Sequence, residues 1–155
     1  AVDCAARIAM FCGGTMAEGW ACYATTLMGE AGFLTPLETF SELQTDLRMA
    51  ARAYVDVRLH QGRLTLEEAA AYYARNTGMS NEASYGEAVK NSMFPGAAVI
   101  YLIGRDGILD LRRDLAAAQG AAFSLKAFHD RLLSFGSVPV ALAAAAMRAE
   151  VGHAQ

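Results

Sequence analysis

The chain has 155 residues, is 54% hydrophobic and carries a formal net charge of −3. It is long enough to bury a sizeable core as one domain. Its scattered basic residues, not interleaved with aromatics, give no reason to expect nucleic-acid binding. No apolar run approaches the ~18–20 residues of a membrane-crossing helix, and no basic region precedes the first apolar stretch as in a signal peptide.

In chain order the signals are helical. Asp3 to Met28 is apolar almost all round, with a break expected at Gly13-Gly14. A helix without a polar face is a buried one. Thr35-Pro36-x-Glu38 supplies an N-cap, a proline at N1 and an N3 glutamate for a second helix running to about His60. Its apolar positions Leu37, Phe40, Leu43, Leu47, Ala51 and Tyr54 step by three and four, as an amphipathic helix requires.

Thr65-x-x-Glu68 is a second capping box, for a helix ending at Gly78. Ser80 opens a short helix to about Met93, and Phe94-Pro95-Gly96 punctuates the chain. A long helix follows from Ala97 to about Gln119. Gly104 and Gly107 inside it mark the close approach of a neighbouring helix or a ligand. Ser124 caps a helix to about Phe135, and Val140 to Glu150 is the last. Short connections between helices suit antiparallel neighbours. The expectation is an all-α, antiparallel bundle of about seven helices in a single domain spanning residues 1–155.

Cys4, Cys12 and Cys22 have neither a metal-site nor a redox spacing. They read as buried thiols, which leans toward a reducing, cytoplasmic compartment.

Three constellations carry candidate chemistry. Glu18 is the one carboxylate in the run Thr15-Met16-Ala17-Glu18-Gly19-Trp20-Ala21-Cys22-Tyr23. It is either the N3 partner of a Thr15 cap or a metal ligand on a core helix. Arg48, Arg52, Asp56 and His60 recur every four residues on one stripe. That stripe is either a solvated, ion-paired face or the wall of a cavity in which Asp56 orients and charges His60. Arg58 and Arg105 either clamp a substrate carboxylate or form surface ion pairs. His129, in Phe128-His129-Asp130, reads as a structural hydrogen-bonding residue.

The run Glu18-Gly19-Trp20-Ala21-x-Tyr23 resembles the signature of the bacterial domain-of-unknown-function family DUF885. The resemblance continues through Arg52-Ala53-Tyr54-Val55-Asp56-Val57-Arg58-Leu59-His60, Asn76-Thr77-Gly78-Met79-Ser80, Pro95-Gly96 with Tyr101 and Gly104, and Phe128-His129-Asp130. Members resemble gluzincin-type zinc metallopeptidases, whose metal is held by two histidines of an HExxH helix and a later glutamate.

The resemblance implies that Glu18 is a zinc ligand. It implies too that His60 and Tyr101 bind the oxyanion of a peptide or amide substrate, with Asp56 behind His60. No HExxH segment occurs among these residues, and the chain opens on Ala1-Val2-Asp3. The expectation is therefore the C-terminal part of a longer hydrolase, inactive alone. Zinc would bind in the full-length parent, with none held tightly here. The missing N-terminal part would be its natural partner, and a homodimer through the apolar first helix is the expected substitute. The competing expectation is a non-catalytic helical structural or interaction module.

Overall fold

A computed structural model describes residues 13–152, and every regular element in that span is helical. The helices are α1 (Gly14–Glu30), α2 (Pro36–His60), α3 (Leu66–Thr77), α4 (Asn81–Met93), α5 (Val99–Gln119), α6 (Leu125–Ser134) and α7 (Val140–Gly152), with one 3₁₀ turn at Gly120–Ala122. The all-α bundle expected from the sequence is what forms. Two compact units divide the chain. One holds Thr25–Leu102 and the other joins the residues before Thr25 to those after Leu102.

Local chemistry sets most helix ends. Thr35 and Thr65 each accept from the amide three residues on, and Glu38 and Glu68 reach back to the threonine amides at 2.8 Å. Both boxes satisfy amides that a helix start otherwise leaves bare. Gly78 closes α3 at φ +69°, a left-handed conformation that costs glycine nothing. Ser80 and Ser124 cap α4 and α6.

In the Thr25–Leu102 unit, α3 packs on α2 and α4 around Ala51, Val55, Ala69, Tyr73 and Ala88. Three alanines let the helices come close enough to enclose the Tyr73 ring completely. The outer face of α2 departs from expectation. Leu37, Phe40, Leu43, Leu47 and Tyr54 are exposed, and of the predicted stripe only Ala51 is buried. The cause is that α3 and α4 cover the face carrying Ala51, Val55 and Asp56, and the helix cannot turn both stripes inward.

In the other unit, α1 crosses α5 at two glycines. A Cβ on Gly19 would lie 2.4 Å from the Gly104 Cα, and one on Gly104 would lie 2.0 Å from the Thr15 carbonyl. Gly107 faces the Val140 side chain in the same way at 3.0 Å. The close approach expected at Gly104 is therefore helix on helix.

Thr15 lies inside the first turn of α1 and does not cap it. Its hydroxyl accepts from the Val140 amide at 3.2 Å and so serves the start of α7. The cap reading of Thr15 and Glu18 falls for that reason. The first helix is not buried all round either, since Met16, Gly19 and Tyr23 are enclosed while Ala17 and Ala21 face outward. Of the residues expected to carry the dimer face, Ala5, Ile8, Ala9 and Phe11 lie outside the described residues, as do Cys4, Cys12 and His153, while Met16 is buried and Trp20 half-buried.

Candidate functional site

Asp56 is the node of the Thr25–Leu102 unit. Its residue is 1% exposed, and its carboxylate accepts three hydrogen bonds. His60 Nδ1 donates at 2.9 Å, the Gly96 amide at 2.9 Å and the Ala98 amide at 2.8 Å. A buried carboxylate needs such donors, because an unpaired one would revert to the neutral acid. The Phe94-Pro95-Gly96 turn presents the two amides. Gly96, at φ +80°, is where the backbone doubles back to do so.

His60 follows one helical turn after Asp56. Its Nε2 lies 3.4 Å from the Ser92 carbonyl oxygen. Both ring nitrogens thus face acceptors, which is the arrangement of an imidazolium. Burial alone would pull its pKa down, but the Asp56 and Ser92 carbonyls and the Asp56 carboxylate outweigh it and hold the pKa above the ordinary histidine value. Within the stripe of Arg48, Arg52, Asp56 and His60, Asp56 is the buried member, while Arg48 and His60 are exposed.

Arg52 pairs with Glu87 of α4. Beside that pair, Asn91 donates to the Arg52 carbonyl at 3.0 Å and to the Tyr73 hydroxyl at 2.7 Å. Burial first, and the neighbouring Glu87 charge second, push the Tyr73 hydroxyl far above the usual phenol range. Tyr73 therefore stays protonated. Tyr101 is half-buried and lines a small cavity of about 70 Å³ with Arg52, Lys90, Asn91, Phe94, Ala97 and Ala98. His60 is not part of that lining. Asp56 and His60 come together, and neither lines the cavity beside Tyr101.

Arg58 is half-buried. Its guanidinium stands 5.7 Å from the Tyr54 ring centroid, and its Nε has no hydrogen-bond partner among the described residues. Arg105 Nε contacts Asp106 at 3.1 Å.

In the other unit, Glu18 is half-buried on α1. The Tyr23 hydroxyl and His129 Nε2 are 2.9 Å apart, ringed by Trp20 and Phe128. Burial, and then the Arg112 charge, lower the His129 pKa against the opposing pull of Asp130. A neutral His129 Nε2 accepts a hydrogen bond from the Tyr23 hydroxyl, while Arg112 donates to the same hydroxyl at 3.5 Å. This cluster was visible in the sequence only as separate aromatic and histidine positions. Tyr23 and His129 are 106 residues apart.

Catalytic zinc takes three protein ligands and a water. Among the described residues, no three His, Cys, Asp or Glu side chains come together to hold a metal ion.

The fold and its blocks place the chain among bacterial helical proteins without a known activity. It matches the family described as "Bacterial protein of unknown function (DUF885)" over residues 3–147, and it belongs to that family. It is similar to the crystal structure of a "putative lipoprotein" from Colwellia psychrerythraea, at 32% identity and a TM-score of 0.84. That match covers 90% of this chain and 24% of the other. A "putative lipoprotein of unknown function" from Shewanella oneidensis matches at 29% identity and a TM-score of 0.79, over 86% of this chain and 25% of the other. The chain thus spans about a quarter of the length of these structures. No curated protein matches it.

Proposed function

We propose that this chain is the C-terminal part of a metallopeptidase-like hydrolase acting on peptide or amide bonds. The observation that supports it best is the Asp56–His60 pair. A buried carboxylate fixes the ring through Nδ1 and favours its positive charge. An imidazolium held in this way can donate to developing negative charge on a substrate oxygen. Tyr101, at a cavity it shares with Arg52, is the second candidate donor. Arg58 and Arg105 are candidate substrate-carboxylate contacts, of which Arg58 keeps an unsatisfied Nε. Glu18 would be one zinc ligand in a longer parent, whose remaining ligands would come from outside these 155 residues. Among the described residues no three candidate ligands come together to hold that metal.

One observation favours a second reading, in which the chain is a non-catalytic helical module. His60 Nε2 is directed at the Ser92 carbonyl, so the pair also works as a clasp between α2 and the end of α4. The deciding experiment places Glu18→Gln, His60→Gln and Tyr101→Phe in a full-length family protein carrying this segment. Cleavage of a peptide mixture is then followed by mass spectrometry. Loss of cleavage with unchanged folding is expected for the hydrolase. Unchanged cleavage with lowered thermal stability would identify the clasp.

A further inference from the structure

A second cavity of the Thr25–Leu102 unit, about 240 Å³ in volume, lies where α2, α3 and α4 meet. Its walls include Arg48, Met49 and Arg52 of α2, Tyr73 of α3, Met79 of the loop after α3 and Glu87 of α4. It shares Arg52 with the cavity beside Tyr101, but Asp56, His60 and Tyr101 do not line it. Pockets for drug-sized ligands span ~300–1,000 Å³, so this one suits a molecule no larger than a single amino acid.

The charges in this cavity are only partly spent on one another. Arg52 directs Nε and Nη2 at the same Glu87 oxygen, Oε1. The other, Oε2, takes no hydrogen bond among the described residues. The Glu87 side chain is only 18% exposed, and a carboxylate oxygen so far removed from water favours a donor. Arg48 lies one turn before Arg52 and makes no ion pair or hydrogen bond among the described residues. Side chains four apart on a helix are neighbours, so this cation stands beside the Arg52–Glu87 pair. The cavity thus offers one unspent guanidinium and one unspent carboxylate oxygen close together. A phosphate would bring a second negative charge against Glu87. A molecule with one carboxylate and an adjacent ammonium satisfies both groups. We propose that the cavity binds a free α-amino acid with an apolar side chain, its carboxylate on Arg48, its ammonium on Glu87 Oε2 and its side chain against Met49 and Met79. A guanidinium takes a carboxylate through two parallel N–H bonds, and methionines adapt to an apolar body. The proposal does not rest on the hydrolase reading, because the residues that carry that reading line neither Arg48 nor Glu87's side of Arg52.

Calorimetry on the purified chain with L-leucine, N-acetyl-L-leucine and L-leucinamide tests this. The expected result is saturable one-to-one binding of L-leucine. Each capped form lacks one of the two charges and should bind weaker by about tenfold or more, since a charge-assisted hydrogen bond is lost. Arg48→Ala, at an exposed position, should weaken L-leucine by about tenfold or more for the same reason, with helicity by circular dichroism unchanged. No saturable binding of L-leucine up to millimolar concentration overturns the proposal. So does L-leucine binding that survives Arg48→Ala. N-acetyl-L-leucine binding as tightly as L-leucine overturns it too, because Glu87 would then hold no ammonium.

Discussion

The His60 imidazole is seated 2.9 Å from the Asp56 carboxylate one turn earlier on α2, and the same carboxylate holds the Gly96 and Ala98 amides. One buried charge thus fixes a ring, a turn and the approach to α5. Asp56→Asn keeps the shape but places an NH₂ group at one of the two oxygen positions where donors already point. We expect it to destabilise the chain by about 3 kcal/mol, since a charged acceptor is lost and a buried donor is stranded. Urea unfolding measures this, and a loss under ~1 kcal/mol would show that the amides find other partners.

The two described histidines should tilt the pH profile in opposite directions. His60 has a raised folded pKa, so the stability it gives is complete below its unfolded value near 6.5 and fades as pH climbs through the folded pKa. His129 has a lowered folded pKa. Its share is complete above 6.5 and is lost as pH falls through the folded value. Thermal melts from pH 5 to 8 should show His60→Gln flattening the alkaline side and His129→Gln flattening the acid side. Parallel profiles for the two variants would contradict this assignment.

Where a signal is settled by neighbours in sequence, it could be read in advance. The Thr35–Glu38 and Thr65–Glu68 boxes, the left-handed Gly78 and the Asp56–His60 spacing all involve partners within four residues. Gly104 announced a close approach, though not that Gly19 would be the other side of it. The misread features depend on distant chain. Thr15 looks like a cap until Val140, 125 residues away, takes its hydroxyl. The α2 stripe looks like a core face because periodicity reports an apolar side and not what covers it. Arg52 and Glu87 could not be paired from a spacing of 35 residues.

Zinc titrated into the purified chain should give no tight stoichiometric complex by calorimetry. Glu18 can supply one ligand, and His129 Nε2 is engaged with the Tyr23 hydroxyl. His60 Nδ1 faces Asp56, so the ring would have to leave its carboxylate to bind through that atom. Each arrangement falls short of the three ligands that zinc takes. A one-to-one complex abolished by Glu18→Gln would mean that the ligand set assembles within these 155 residues.

Some glycines on this fold touch the backbone of another helix, and others touch nothing. Gly104→Ala would drive a methyl to 2.0 Å from the Thr15 carbonyl, and Gly19→Ala one to 2.4 Å from the Gly104 Cα. Neither obstacle is a flexible side-chain end, so α1 and α5 would have to part. The expected cost is about 3 kcal/mol or more, at the upper end of overpacking. Gly86, inside α4, has nothing within 4 Å of its Cβ position and no positive φ. Gly86→Ala should instead stabilise the chain by roughly 0.5–1 kcal/mol, because alanine removes backbone freedom from the unfolded state. Melting temperatures of the three variants in one buffer decide the matter. A Gly104→Ala chain as stable as the parent would show that the α1–α5 crossing is looser than the glycine pair implies.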